Sequence, residues 1–223
     1  MLSKINAVII GATGLTGSEL ALKLLSKNEF SEITCIVRNT PSLNNEIKYI
    51  QTDFDTISDI KFKADTAFTC LGTTIKKAKT KENFYKVDYH YNLKFAEVCK
   101  INGVERFILM SALGANSKSS VFYSRVKGEL ENAVINLNFK SLTIIRPSVL
   151  EGNRIEYRRG EIFLRKLMKI INPLLIGKLR RYRSVRIEQV VNAMIEAAIL
   201  DQPGIRIIEN EEILGKKNHH FSV

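Results

Sequence analysis

The feature that most constrains this chain is a glycine-spaced turn between an apolar run and a helix start, all within the first 25 residues. Residues 6–10 read Asn-Ala-Val-Ile-Ile, and Gly11-Ala12-Thr13-Gly14-Leu15-Thr16-Gly17 follows at once. Residues 19–25 then carry helix formers, with Leu20, Leu24 and Leu25 at helical spacing. A buried strand, a glycine turn and a helix start, in that order, build a dinucleotide site. Gly11 permits a sharp turn where a Cβ would clash, Gly14 lets the backbone approach a pyrophosphate, and Gly17 lets the helix pack close to the strand. The free N–H groups and dipole of that helix then face the phosphates. The spacing is Gly-x-x-Gly-x-x-Gly rather than the commoner Gly-x-Gly-x-x-Gly, so the flanking strand and helix carry as much of the argument as the glycines.

Strand and helix patterns alternate from there. Strands are expected at residues 33–37, 47–50, 66–71, 107–110 and 142–145, with a last edge strand at 205–208. Residues 81–101 read as a long amphipathic helix with the stripe Phe84, Val87, Tyr91, Phe95 and Val98, stopped by Asn102-Gly103. Further helices are expected at 123–137 and 190–200. The pattern is that of an α/β chain, a mostly parallel sheet with crossover helices on both faces.

Arg38 follows the second strand, where a dinucleotide fold meets the adenosine ribose. A free 2′-hydroxyl is usually bonded by an acid; here a guanidinium stands there, suited to a 2′-phosphate and to stacking on adenine. NADP(H) is therefore expected over NAD(H). Asp53-Phe54 ends the third strand region, where the acid can touch the adenine edge or cap the next helix. Leu71-Gly72-Thr73 ends the fourth strand, and Gly72 allows close approach to the cofactor ribose. The candidate cofactor contacts are Gly11, Thr13, Gly14, Leu15, Gly17, Arg38, Asp53, Phe54, Leu71, Gly72, Thr73 and Lys127.

Tyr123 and Lys127 lie four apart on a predicted helix and share a face. A phenol has a pKa near 10, and an ammonium beside it stabilises the phenolate. Ser111 ends the preceding strand and can bond a substrate carbonyl oxygen. Together they make a candidate catalytic set. Hydride would pass between a nicotinamide and a carbonyl carbon while Tyr123 moves the oxygen's proton, and Lys127 would also hold the ribose.

The glycine loop, Ser111 and Tyr123/Lys127 resemble an atypical short-chain dehydrogenase/reductase. Within that group the chain is similar to the Tat-interacting-protein-type oxidoreductases. The likeness rests on Cys70-Leu71-Gly72-Thr73-Thr74, Lys77-Ala78, Phe84, Val87-Asp88, Arg146-Pro147, Arg154, Glu156, Arg159, Gly160 and Glu161. The resemblance runs to about Leu214. It implies a single Rossmann-type domain over residues 1–223 that binds NADP(H), with Ser111, Tyr123 and Lys127 in the triad positions. It also implies a group known as NADPH binders and regulators, which adds a protein partner as the alternative to turnover.

The net charge of +11 is uneven. Cations crowd the stretch from Arg154 to Arg186, opposed there only by Glu156 and Glu161, and a second patch is Lys76, Lys77, Lys79 and Lys81. Such patches attract acidic substrates, anionic lipid or nucleic acid. No nucleic-acid module is recognisable, which argues against that class. Residues 161–171 read as a basic amphipathic helix stopped by Pro173. It would sit in a small lobe at about 148–186, over the substrate side, with Arg154, Arg158 and Arg159 available either to an anionic group or to Glu156, Glu161 and carbonyls that would fix the lobe. Core packing is favoured there over a membrane surface. Cys35, Cys70 and Cys99 are expected to be reduced core thiols, His90 and His219-His220 have no metal spacing, and no signal segment is read. A cytoplasmic protein is expected.

Overall fold

The structure is a computed structural model describing residues 4–41, 44–151, 175 and 177–215. Runs of Val, Ile, Phe and small residues form β1 (Ile5–Ile10), β2 (Phe30–Val37), β3 (Lys48–Gln51), β4 (Thr66–Thr69), β5 (Arg106–Met110) and β6 (Ser141–Arg146). Together with β9 (Gly204–Glu209) they make one seven-stranded sheet in the order β3-β2-β1-β4-β5-β6-β9. Every neighbouring pair in it is parallel. The direction of winding reverses between β1 and β4, so their carboxyl ends part into the crevice where such sheets bind ligands. The expected edge position of β9 holds, since it pairs only with β6.

Both faces of the sheet are covered, because successive strand residues point to opposite sides. On one side Ile9, Phe68, Ile108 and Ile145 meet Leu20 and Leu24 of α1 (Leu15–Leu25) and Val190, Val191 and Met194 of a C-terminal helix at Ile187–Leu200. On the other, Val8, Ala67, Phe107 and Ile144 meet a long rod formed by residues 81–101 and the helix α5 (Phe122–Ile135). The short α2 (Ile75–Ala78) precedes this rod. The rod comprises α3 (Lys81–Tyr85), a π turn at Lys86–His90 and α4 (Tyr91–Ile101). The π turn shifts the buried stripe from the expected Val87, which is half-buried, to Asp88, which is buried.

Several expectations are corrected in detail. Helix α1 begins at Leu15 with Gly14 as its N-cap, so it starts ahead of the helix formers at 19–25 and takes Gly17 into its first turn. Of the lobe at 148–186, the described part is a two-stranded parallel ladder of β7 (Leu150–Glu151) with β8 (Val185–Arg186), and a 3-10 turn at Gly177–Tyr182. Within that turn Arg180 and Arg181 are exposed. The basic helix at 161–171, Arg154, Glu156, Arg158, Arg159, Gly160, Glu161 and Pro173 lie outside the described residues, as does the tail beyond Gly215. The Ile187–Leu200 helix, α6 in chain order, is followed after β9 by α7 (Asn210–Gly215), a helix the sequence pattern does not predict. Its first residue explains it. Asn210 is fully buried, donates to the carbonyls of Arg181 (2.9 Å) and Arg183 (2.8 Å), and accepts from Ser148 N–H (3.0 Å). One amide thereby ties the described part of the lobe to the end of the sheet.

Candidate functional site

Three glycines shape the mouth of the crevice. Gly11 has φ +83°, and a Cβ there would stand 2.5 Å from the Cys70 carbonyl carbon and the Leu71 nitrogen. A Cβ at Gly17 would stand 2.2 Å from the Gly11 oxygen, so α1 is seated directly on the turn. Gly14 is different: it is exposed, and a Cβ there would meet only the Gly11 oxygen at 3.2 Å. Gly14 N–H closes the turn onto Gly11 O (3.0 Å), and Ser18 N–H onto Gly14 O (2.9 Å) makes the first helical bond. The N–H groups of Leu15, Thr16 and Gly17 therefore precede the helical ladder. The first turn of α1 carries no acid and no side-chain cap. It is an anion-receiving end, with Thr13 and Gly14 exposed at its lip and Leu15 half-buried.

The ends of β2 and β3 supply the next part. The Arg38 guanidinium lies over the Phe54 ring (5.6 Å to the centroid), and Phe54 meets Tyr91 edge-on at 5.6 Å. Arg38 is exposed and Phe54 buried. Asp53 accepts from Asp55 N–H (2.9 Å), so its carboxylate heads a turn. The short helix that follows, Ile57–Asp59, takes Thr56 as its N-cap. Asp55 in turn accepts from Lys86 Nζ (2.8 Å) and the Tyr91 hydroxyl (3.1 Å), which fixes this corner to the π turn.

The segment after β4 joins this loop to the predicted tyrosine–lysine pair. Leu71 O accepts from the Asn92 amide at 3.2 Å, and Thr73 N–H donates to Asp88 Oδ2 at 2.8 Å. The other oxygen of Asp88 pairs with Lys127 Nζ at 2.7 Å. A Cβ at Gly72 would stand 3.3 Å from Asp88 Oδ1 and 3.8 Å from Lys127 Nζ. Gly11 thus abuts Cys70 and Leu71, and Gly72 abuts the Asp88–Lys127 pair, so the glycine turn and Lys127 flank the same segment just after β4. Lys127 is 5% exposed and Asp88 1%. Burial alone would lower the pKa of Lys127, but the Asp88 carboxylate, and then Tyr123 and Glu131, raise it overall and keep the ammonium charged. Burial pushes the adjacent Cys70 thiol up to about 12, which leaves it protonated and inert.

Tyr123 lies one turn before Lys127 on α5, half-buried, with its ring 5.7 Å from Phe84. The loop preceding α5 is pressed onto the helix at Gly128, where a Cβ would stand 2.2 Å from Ser117 N. Ser111 sits at the end of β5, but its hydroxyl does not stand free for a substrate. It donates to Glu131 Oε1 at 2.5 Å. Arg146 grips the same carboxylate with two bonds, Nε to Oε1 (3.0 Å) and Nη2 to Oε2 (2.5 Å), and reaches Glu209 with Nη1 (2.8 Å). Hydrogen bonds to Glu131 raise the pKa of Arg146 against the cost of burial, with Glu209 adding to the rise.

The sequence reading passed over Asp88, Asn92 and Glu131 as site residues. A signal existed. Lys127 and Glu131 fall in the buried stripe of α5 with Leu130 and Val134, and Asp88 falls in line with Phe84 and Asn92. Charges within an apolar stripe need buried partners.

A sequence-family model described as NAD(P)H-binding matches residues 11–162. Protein HTATIP2 of Rattus norvegicus is 35% identical over 214 residues, covering 92% of this chain and 86% of that protein. Protein FMP52, mitochondrial, of Candida glabrata is 32% identical over 227 residues, covering 96% of each. Among solved structures, the UDP-glucose 4-epimerase of Thermotoga maritima, determined with UDP-glucose, superposes with a TM-score of 0.68 at 16% identity. It covers 92% of this chain and 77% of its own. That likeness shows the Rossmann-type fold. The expectation of a cytoplasmic protein is overturned by the relatives, since FMP52 and two others of that name are called mitochondrial. With this fold, these relatives and that match, the chain belongs to the NAD(P)H-binding family and is a homologue of HTATIP2 and FMP52, of the Tat-interacting-protein type.

Proposed function

We propose that this chain is an NADP(H)-dependent oxidoreductase of the short-chain dehydrogenase/reductase type, acting on a small carbonyl or alcohol. The observation that carries the reading is the contiguity of the glycine turn, the Gly72 opening and the Asp88–Lys127 pair along the end of β4. The residues present fit the cofactor: Gly14 leaves the α1 N-terminus uncovered, and the missing side chain at Gly72 leaves room above Lys127. The amides of Leu15, Thr16 and Gly17, with Thr13, would hold the pyrophosphate. Arg38 would take the 2′-phosphate beside Phe54, with Asp53 at the adenine edge. Leu71, Gly72, Thr73 and Lys127 would line the ribose. When bound, the nicotinamide supplies or accepts the hydride.

Tyr123 gives or takes the proton at the substrate oxygen. Lys127 holds a positive charge one turn away and favours the phenolate, an effect that Asp88 tempers by neutralising part of that charge. Ser111 lies at the substrate end of β5, with its donor direction set by Glu131. The relatives called FMP52, mitochondrial, support a mitochondrial setting for this activity.

A second reading, an NADPH-binding regulator acting through a protein partner, is favoured by one observation. Both polar supports of the triad are already bonded inside the protein, Lys127 to Asp88 and Ser111 to Glu131. Assays of NADPH oxidation with a panel of short aldehydes and ketones separate the two. The enzyme reading expects Tyr123→Phe to lower kcat by about 10²- to 10⁴-fold with NADPH affinity unchanged. Full activity in that variant overturns it, and NADPH binding with no turnover of any substrate favours the regulator.

A further inference from the structure

The hydrogen bond at the end of β5 bears on the rate of the chemistry. A serine hydroxyl has one proton and two lone pairs. The proton of Ser111 goes to Glu131 Oε1, 2.5 Å away. Glu131 is 3% exposed and Ser111 5%, so water does not compete for that bond. The arrangement cannot simply be reversed, because Arg146 has donors and no acceptor, and it occupies both carboxylate oxygens with Nε and Nη2. Arg146 is itself anchored by Glu209 on the edge strand at 2.8 Å. The polarity therefore runs one way, from Ser111 into Glu131. Any ligand atom that meets the Ser111 oxygen must bring its own proton.

A carbonyl oxygen brings none. In a hydride transfer to a carbonyl, negative charge grows on that oxygen, and each well-placed donor there contributes on the order of 10²- to 10³-fold in rate. Tyr123, Lys127 and Glu131 follow one another at intervals of four along α5, so the carboxylate that withholds the serine proton sits on the helix face that carries the tyrosine–lysine pair.

We propose that Glu131 is a positioning residue that fixes Ser111 as a hydrogen-bond acceptor, so that the site withholds its second oxyanion donor and reduces carbonyls slowly while holding the cofactor in full. This rests on the oxidoreductase reading above and deepens it. Because the transition state is shared, withholding that donor slows hydride transfer in both directions, and the Glu131 carboxylate is the restraint.

The test is Glu131→Gln, with NADPH and 9,10-phenanthrenequinone as the carbonyl probe. The amide nitrogen, turned to Ser111, would donate to it and release the serine proton to the substrate side. The amide oxygen would stay with Arg146 Nη2, leaving only the longer Nε contact unmatched. The expected result is a rise in kcat of at least tenfold, with the NADPH Kd within twofold of wild type, and loss of that gain when Ser111→Ala is added. No gain in a variant that binds NADPH, or a gain that persists without Ser111, overturns the proposal. Should the single replacement fail to fold, Glu131→Gln with Arg146→Gln removes both charges of the pair together, and the same gain, dependent on Ser111, is required of it. Failure of wild type to bind NADPH would instead overturn the oxidoreductase reading itself, which the binding measurement reports separately.

Discussion

At the scale of single residues, three glycines that look equivalent in the sequence do different work. Gly17 has backbone at 2.2 Å from where a Cβ would stand, whereas Gly14 has one oxygen at 3.2 Å and is otherwise open. Gly17→Ala is expected to destabilise the fold by several kcal/mol, as overpacking against rigid backbone does at about 1–3 kcal/mol or more. Gly14→Ala should melt within a few degrees of wild type and yet weaken NADPH at least tenfold, about 1.4 kcal/mol. Thermal melts beside a binding isotherm separate the two, and equal loss of stability in both variants would contradict the assignment.

Asp88 is the second such residue. Removing one partner of a buried ion pair costs about 3–5 kcal/mol, so Asp88→Asn should lose stability on that order in a denaturant melt at pH 7. The pH dependence has a definite sign. The folded pKa of Lys127 is raised above the ordinary 10.5. Its pairing therefore stabilises fully below that pH and fades only as pH climbs through the higher folded value. In Asp88→Asn burial acts on Lys127 with its main partner gone, so the deficit should shrink as pH rises toward 10. A deficit that does not vary with pH would argue against the pair. Glycine spacing made the first set legible in the sequence. Asp88 and Glu131 are marked only by their place in apolar stripes, a weaker signal, because a charged residue in a helix is by default a solvated one.

At the scale of elements, apolar runs and helical stripes located the seven strands of the sheet and the helices that cover it, with ends displaced by a few residues. The π turn was not legible, since nothing in a stripe of Phe84, Val87 and Tyr91 announces an extra residue in one turn. Asn92 shows what stabilises it. Its amide donates to the carbonyls of Leu71 (3.2 Å), Val87 (3.0 Å) and Asp88 (3.3 Å), while its oxygen accepts from the buried hydroxyl of Thr69. Asn92→Ala leaves these buried groups without their partner, at a cost of about 1–3 kcal/mol. It also frees the segment that carries Leu71–Thr73, so NADPH affinity should fall together with stability. Hydrogen exchange should rise at residues 70–73 and 86–90 ahead of the rest of the rod; uniform loosening along residues 81–101 would count against this role. The helix α7 escaped sequence reading for a related reason: Asn210 makes its contacts with Ser148, Arg181 and Arg183, far away in the chain.

At the scale of the whole molecule, the parallel order β3-β2-β1-β4-β5-β6-β9 places the carboxyl ends of β1, β2, β4 and β5 around one crevice. The first glycine turn, Arg38, Gly72 and Ser111 each follow or end one of those strands, which is why alternation of strand and helix was enough to gather them on paper. The sequence could not give the polar chain behind them, from the buried Ser111 and Glu131 through the half-buried Arg146 to Glu209, because it joins β5, α5, β6 and β9. Chemistry is thus presented at one rim of the sheet and tied back to its far edge.

On the proposed function, this rim holds a dinucleotide bearing an extra phosphate, met by Arg38 at one end and by Lys127 at the other. The chain contains no tryptophan, so calorimetric titration is the direct measurement. Wild type is expected to bind NADPH at least tenfold tighter than NADH, about 1.4 kcal/mol, with Arg38→Ala erasing most of that difference and sparing NADH. Equal affinity for the two nucleotides, or a preference that survives the loss of Arg38, would contradict it.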